Sequence, residues 1–502
     1  MDADRQPIIV GTGQATWRDG DPTRTPVDAM QVVASLALEN GGESLRSAID
    51  AMVHVPFIMD QVPELAKAMP RNPGETVGQR LGINAVQFTA DVGGNLPQEL
   101  VNEFAARLVR GSNDAVLIAG VELLSTFLGE VRSGAGMPAW ESGAQGSVEC
   151  ITDTPAMTTA TEQAHGLFEP IHAYPLFESA IRHARGLSAE QQALQLGTLI
   201  ANMSDVAAAN PLAWKRDRLT PEQVLSTEHG NRMICTPYTK VMNSVIAVDQ
   251  AAALVLTTVG KAKALGIDRE HWVYLRGAAS AHDRWFISER VNLHASPALA
   301  AAAQEALRQA EMGLDELQFF DLYSCFPSAV EVACDALGLN PDDPRGLTVT
   351  GGMSLFGGPG NNYSLHAIAT MVDLLCEGSA GAGLVSANGG YLTKHSVGVY
   401  SRTASSTPWA PRENQDLQQR VAMEPFLELA ESGDGDLVID AHTVRFDRAG
   451  PREGILLGRL GDGRRCVATT ENAATIDAFL VRDCVGETGA VSHRDGVNYF
   501  EF

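Results

Sequence analysis

The sequence predicts an α/β protein of two similar halves followed by a small β domain. Two observations carry this. A strand, a Gly/Asn turn, an amphipathic helix, a polar break and a second strand ending in small residues occur at 86–122 and again at 348–390. Placing Gly111 on Gly378, 267 positions later, sets Gly93-Gly94-Asn95 on Gly360-Asn361-Asn362 and Ala119-Gly120 on Ser386-Ala387 without a gap. The second is a C-terminal run of short strands with glycine turns at Gly450, Gly454, Gly461 and Gly463, as closed antiparallel sheets require.

From the N-terminus, 6–16 reads as a buried strand, 26–38 and 42–51 as helices, and MVHVPFI at 52–58 as a second strand. In the first repeat unit Leu96, Leu100, Phe104 and Leu108 recur every fourth residue and make one apolar helix stripe. The glycines before them let the backbone turn sharply out of a strand. Unpaired N–H groups and the positive end of the helix dipole converge at that N-terminus, a seat for a nucleophile or an anionic group. A tight strand-to-helix turn needs the same glycines, but two copies in register bring two such N-termini toward one centre. The succession of strand, helix and strand implies a mostly parallel sheet covered on both faces.

Residues 123–242 differ in texture: SGAGMPAWESGAQGS is loop-like, 172–211 is helical and broken by Pro211, and NRMICTPYTKVMNS has no period. This reads as a lid inserted over the site, with Tyr174, Phe177, Trp214 and Tyr238 as lid packing rather than ligand contacts. The second half brings a buried strand pair at 245–258 centred on Asp249, a helix start at 261–265 and a strand in HWVYLRGAAS. A helix at 297–310, a strand in LQFFDLYSCF, a helix at 328–337, the second repeat unit and a strand at 397–401 follow. RTASSTPWAPRENQ reads as a linker. The expected domains are 1–267 with 123–242 inserted, 268–405, a linker at 406–414, and 415–502 as a separate β barrel.

At 502 residues the chain exceeds a single core. Its 45% hydrophobic and 20% charged residues are those of a globular protein. A net charge of −24 opposes polyanions, so neither nucleic acid nor an anionic membrane surface is expected as a partner. CoA or a nucleotide stays compatible, because helix N-termini or a local basic cluster bind phosphate regardless of global sign. Arg448, Arg452, Arg459, Arg464 and Arg465 make such a cluster, with solvated surface arginines as the plainer alternative. Seven scattered cysteines without a CxxC pair point to reduced thiols and a cytoplasmic protein, against disulfides or a metal site. MDADRQPIIVGTG does not read as a signal peptide, and no apolar run reaches the roughly 18–20 residues of a membrane span.

Together these segments resemble the thiolase superfamily, in particular thiolase-like proteins (type 1) with an additional C-terminal domain, related to sterol-carrier-type thiolases and acetyl-CoA acetyltransferases. The resemblance covers roughly 5–402. It rests on the repeat, GSNDAVLIAGVE at 111–122, AVDQAAALVLTT at 247–258, the DLYSCF strand end, GGMSLFGGPG at 351–360 and SANGG before the last strand. It implies a five-layer αβαβα fold with an OB-like barrel appended. It also implies CoA or acyl-CoA as substrate or ligand rather than a resident cofactor.

Thiolases use a nucleophilic cysteine, a second cysteine as acid/base, and a His and an Asn that shape oxyanion holes. Carried over residue by residue, the nucleophile position falls on Gly94, and the GHP-type turn is Gly357-Gly358-Pro359, with Gly358 in place of the histidine. The Asn/His-x-x-Phe tetrad is Tyr323-Ser324-Cys325-Phe326, and the second cysteine position falls on Asn388. All four depart from the pattern, so the thiolase reaction is not expected. The remaining candidates are Tyr323, Asn388 and His395 for catalysis, Gly94, Asn95, Gly358 and Cys325 for ligand binding, and no metal.

A strand-end tyrosine resembles thiolase-fold aldolases that act on CoA thioesters with Tyr as acid/base, a role that needs its pKa lowered, here by the helix N-termini. A packed Tyr323, an exposed or structural His395 and a structural Cys325 stand beside these readings. Three functions stay open: a CoA-thioester enzyme with acyltransferase ancestry and aldol-type chemistry, a non-catalytic acyl-CoA or lipid carrier, and a subunit whose β domain docks a partner or a second copy.

Overall fold

The computed structural model describes residues 3–138, 140, 144, 146–378, 380–407, 409–411 and 414–502. Ala139, Glu141, Ser142, Gly143 and Gln145 of the loop-like lid stretch lie outside the described residues, as do Pro408, Arg412 and Glu413 of the linker.

The spacing of 267 holds throughout. Helices Leu96–Arg110 and Tyr363–Glu377 start and end in register, and the strands after them begin at Ala115 and Ala382. Upstream, Ala51–His54 and Phe319–Asp321 each lie parallel to the strand that follows their central helix. Each half is completed by an antiparallel pair, Pro7–Trp17 with Asp249–Thr258 and Val273–His282 with Lys394–Ser401. A short bridge, Ile8 to Tyr274 and Ile9 to Val273, joins the two halves into one ten-stranded order. Asp249–Thr258 is buried along its whole length, which fits DQAAALVLTT: a strand covered on both faces has no need of alternation. It begins at Asp249 rather than centring on it, and that carboxylate accepts from Thr126 N and Oγ1 at 3.1 and 2.7 Å, near the start of helix Leu124–Ser133. Leu96, Leu100, Phe104 and Leu108 are fully buried, as their spacing predicts.

The stretch 348–353, expected as a strand, is a turn-rich segment. The reason is Asp321. Its buried carboxylate accepts from Thr348 Oγ1 at 2.9 Å, Val349 N at 3.0 Å and Thr350 N at 3.3 Å, and from Tyr363 Oη at 3.0 Å. Backbone N–H groups that a ladder would need are turned onto one side chain instead.

Within the insertion, helices Pro170–Arg185 and Ala189–Ala209 cover the second half, and two short strands, Met233–Cys235 and Tyr238–Thr239, extend away from it. The C-terminal strands Gly435–Phe446, Pro451–Leu460, Arg465–Thr470, Val497–Glu501 and Thr488–Arg494 close into a five-stranded barrel, with helix Ala473–Val481 after the third. The barrel is not a separate body. Arg445 pairs with Cys235 of the insertion, and Ala441, Ile455, Leu457 and Val467 belong to the core shared with the two halves. The expected linker is tied down too: Trp409 is buried, with its N–H on Gln6 Oε1 at 3.0 Å and its Nε1 on Gln309 Oε1 at 2.6 Å. Nor is the arginine cluster a free cationic patch, since Arg459 and the buried Arg465 bond Asp440 and Arg464 bonds Asp462.

Removing the Asp321 carboxylate strands several buried donors, each costing about 1–3 kcal/mol. Asp321→Ala is therefore expected to lose roughly 3 kcal/mol or more in urea unfolding, and Asp321→Asn, which keeps one acceptor oxygen, distinctly less.

Candidate functional site

Where the two central helices begin, the halves interlock. Gly93 N donates to Asn361 Oδ1 at 2.9 Å, Asn361 Nδ2 to Pro56 O at 3.0 Å, and Ser364 Oγ to Gly94 O at 2.9 Å. Beside this seam lies a cavity of about 1340 Å³, walled by the ends of the parallel strands, both glycine turns and the lid helix. It brings together Tyr323, Asn388, Gly94, Gly358 and Cys325. Asn95 and His395 are not on its wall. Asn95 sits behind the turn with its Nδ2 on Glu99 at 2.7 Å. His395 is wholly buried, its Nε2 within 3.1 Å of Ser296 Oγ and 3.3 Å of Asp283, in a polar cluster behind the cavity wall.

Both glycines in this wall are places where another residue's side chain already stands. A Cβ added to Gly94 would lie 1.9 Å from Tyr323 Oη, and one added to Gly358 would lie 2.0 Å from Ser244 Oγ. The phenol thus fills the space of the absent residue-94 side chain at the helix N-terminus, and the Ser244 hydroxyl that of the absent residue-358 side chain. Tyr323 is packed edge-on against Tyr363, 5.6 Å between centroids, and among the described residues its hydroxyl has no hydrogen-bond partner. Ser244 Oγ is buried and has no partner among the described residues, and its backbone N–H is fixed to Cys325 O at 3.2 Å.

Burial, and secondarily the neighbouring Cys325, push the Tyr323 pKa well above the ordinary phenol range. This corrects the expectation that the helix N-termini lower it: desolvation of a buried phenolate outweighs them. The Tyr323 phenol is thus held in its protonated form. Burial likewise pushes the Cys325 thiol up to about 12, which holds it as the thiol rather than the thiolate.

Three residues of the site escape the sequence reading. Tyr174, assigned to lid packing, is stacked on Phe326 with centroids 4.4 Å apart, accepts from Asn388 Nδ2 at 2.9 Å and donates to Gly390 O at 2.9 Å. Ser244 lies in the aperiodic end of the insertion, and nothing in that stretch marks it. His54, inside the strand expected at 52–58, ends the observed strand Ala51–His54 and lines the cavity as a neutral imidazole, burial bringing its pKa down to about 4. Behind Gly360, Glu122 accepts from Ile58 N at 2.6 Å while its other oxygen has no partner among the described residues. Burial pushes its pKa up to about 8. Among the described residues no His, Cys, Asp and Glu cluster suits a metal ion, and no helix is long and apolar enough to cross a membrane.

Comparison with known proteins adds to this geometry. Residues 416–496 match the family model for the thiolase-like protein type 1 additional C-terminal domain. The whole chain aligns with the whole of a monomeric SCP2-thiolase-like protein type 1 from Mycobacterium smegmatis, at 34% identity and a TM-score of 0.84. The Ltp2-ChsH2(DUF35) aldolase superposes on 82% of the chain and 100% of its own, at 17% identity and a TM-score of 0.60. The Acat5 thiolase from Ascaris suum, solved in complex with coenzyme A, covers 79% of this chain and 100% of its own at 16% identity and a TM-score of 0.55. No curated protein matches the sequence.

The occupied space at Gly94 makes Gly94→Cys an overpacking change. It is expected to lower stability by about 1–3 kcal/mol in chemical denaturation, with Tyr323→Ala in the same chain recovering part of the loss. For Glu122 the folded pKa lies above the unfolded one, so its contribution is fully present below about pH 4.5 and is lost as pH rises through about 8. Glu122→Gln should therefore gain stability relative to the parent between pH 5 and pH 8, on the order of a few kcal/mol in paired unfolding curves.

Proposed function

The chain belongs to the type 1 SCP2-thiolase-like proteins, and on that premise we propose that it binds an acyl-CoA thioester and acts on the carbon–carbon bond beside the thioester carbonyl without forming an acyl-enzyme. The observation that carries this is the phenol of Tyr323 in the space of a residue-94 side chain, where a thiolase places its nucleophile. A protonated hydroxyl there cannot attack a thioester. It donates a hydrogen bond to the carbonyl oxygen, where negative charge gathers as the α-carbon becomes an enolate, and a preorganised donor in a buried site is effective at that task. Ser244 lines the same wall, with its Oγ buried and without a partner among the described residues. The helix N-terminus at Leu96 adds its positive end to the carbonyl oxygen. These groups serve the enolate side of an aldol-type cleavage or condensation, the proton of the β-hydroxyl or α-carbon leaving to solvent in the cavity; they do not serve a thiol-dependent acyl transfer.

One structural relative is a thiolase in complex with coenzyme A and another is an aldolase, which supports the ligand and the reaction class. All seven cysteines are free thiols, which supports a reducing, cytoplasmic setting. A second reading, an acyl-CoA carrier, is favoured by one specific observation: no group on the described structure hydrogen-bonds Tyr323 Oη to relay its proton.

Exchange of the acetyl protons of acetyl-CoA in D₂O, followed by NMR, separates the two. Enolate chemistry predicts exchange faster than in buffer, and Tyr323→Phe should slow it by about 10² or more while the circular dichroism spectrum stays native. Unchanged exchange in that variant would leave Tyr323 as packing. Binding without exchange in the parent protein would establish the carrier. Intact mass after incubation with acetyl-CoA should show no acetylated chain; a stoichiometric adduct on any cysteine would sink the reading without an acyl-enzyme.

A further inference from the structure

The turn that follows Asn388 is held from the C-terminal barrel through two buried arginines in series. Arg290 is 7% exposed and puts Nη1 on Tyr391 O at 2.9 Å and Nη2 on Thr393 Oγ1 at 2.8 Å. Its guanidinium lies against Phe177 of the lid helix, 5.6 Å from the ring centroid. Arg290 is itself fixed by Arg465 of the barrel, whose Nη2 donates to Arg290 O at 2.6 Å and whose Nη1 bonds Asp440. Arg465 is completely buried. Between the two runs the segment entering the barrel: Leu427 N donates to Glu289 O at 2.9 Å, and Ala430 N to Arg465 O and Arg465 N to Glu428 O at 2.8 Å each.

The clamped turn is part of the cavity. Gly389, Gly390 and Tyr391 line it, and Tyr174 Oη accepts from Leu392 N at 3.2 Å as well as from Asn388. Each buried guanidinium is an expensive group to hold out of water, kept only where its acceptors are fixed, so the acceptors on the turn and the barrel are held in one arrangement.

We infer that Arg290 and Arg465 are positioning residues for the site, and that the C-terminal barrel serves to hold the 389–393 turn, and with it Asn388 and Tyr391, in place against the ligand. The effect on a ligand rests on the acyl-CoA reading above; the effect on the turn does not. Hydrogen exchange of the full-length protein, resolved by mass spectrometry, reads the turn directly. Arg465→Met should raise exchange in the peptide spanning 389–393 at least tenfold and weaken acetyl-CoA binding about tenfold by calorimetry, with Arg465→Lys in between. Thr393→Val removes one acceptor of Arg290 without touching the barrel and should move both readouts in the same direction by a smaller factor, which covers the case in which Arg465→Met fails to fold. Unchanged exchange at 389–393, with increases confined to 426–430 and the barrel, would overturn the inference. So would raised exchange with undiminished acetyl-CoA affinity. If the parent protein does not bind acetyl-CoA, the ligand reading falls, and exchange at the turn alone decides whether the barrel holds it.

Discussion

The structure depends on how little room there is where the two halves meet. The central helices start so close to each other's strands that a Cβ on Gly120 would stand 2.1 Å from Asn362 Oδ1, and one on Gly360 would stand 2.2 Å from Glu122 Oε1. Small residues at the ends of strands are therefore a condition of the fold rather than an ornament of the repeat. Asn361 of the second half then ties its turn across the seam to two points of the first, accepting from Gly93 N and donating to Pro56 O. What chemistry the site can hold is decided inside these limits, because any side chain larger than hydrogen must displace another.

The repeat was legible because it is written in backbone requirements: glycine at the turns, every fourth residue apolar on Leu96–Arg110, and a small-residue strand end. Those signals are local and survive without any partner residue in view. The strand expected at 348–353 failed for the opposite reason. Its sequence has the pattern, but Asp321, 27 residues upstream of Thr348, takes its N–H groups, and no local pattern reports a side chain arriving from elsewhere. The site divides the same way. Gly94, Gly358, Tyr323, Asn388 and Cys325 sit in motif positions on the repeat, and the cavity unites them. Tyr174 and Ser244 come from the insertion, whose path over the site is set by tertiary packing alone. Asn95 and His395 are near those motifs in sequence yet face the other side of a turn or strand, a difference of one residue that pattern reading does not resolve.

The C-terminal segment was legible as a barrel but not as part of the body. Short strands and glycine turns specify a closed sheet; they carry nothing about which face is covered. The shared core of Ala441, Ile455, Leu457 and Val467 answers that, together with the ladder pairing of Arg445 with Cys235. A segment rich in Pro, Ser and Thr looked like a tether, and a single buried tryptophan, Trp409, converts it into a fixed strap. One large apolar residue in a polar run deserves more weight than the composition around it.

The paired nature of the exchanges bears on whether this site is a decayed one. Had the positions at 94 and 358 simply lost their side chains, two voids would remain in a buried wall, and such voids cost stability in proportion to their volume. Instead each glycine faces a hydroxyl that fills the space, Tyr323 at Gly94 and Ser244 at Gly358. An apolar filler at Gly358 would have closed that gap without leaving the buried Ser244 hydroxyl unsatisfied, a penalty of about 1–3 kcal/mol, while Tyr323 lines the cavity. Neither Ser244 Oγ nor Tyr323 Oη has a partner among the described residues. An acceptor for the Tyr323 hydroxyl at the helix N-terminus is what the proposed acyl-CoA reading requires. A ligand oxygen meets that requirement, and a thioester carbonyl, which gains negative charge as its neighbouring carbon reacts, meets it more strongly in the transition state than in the ground state.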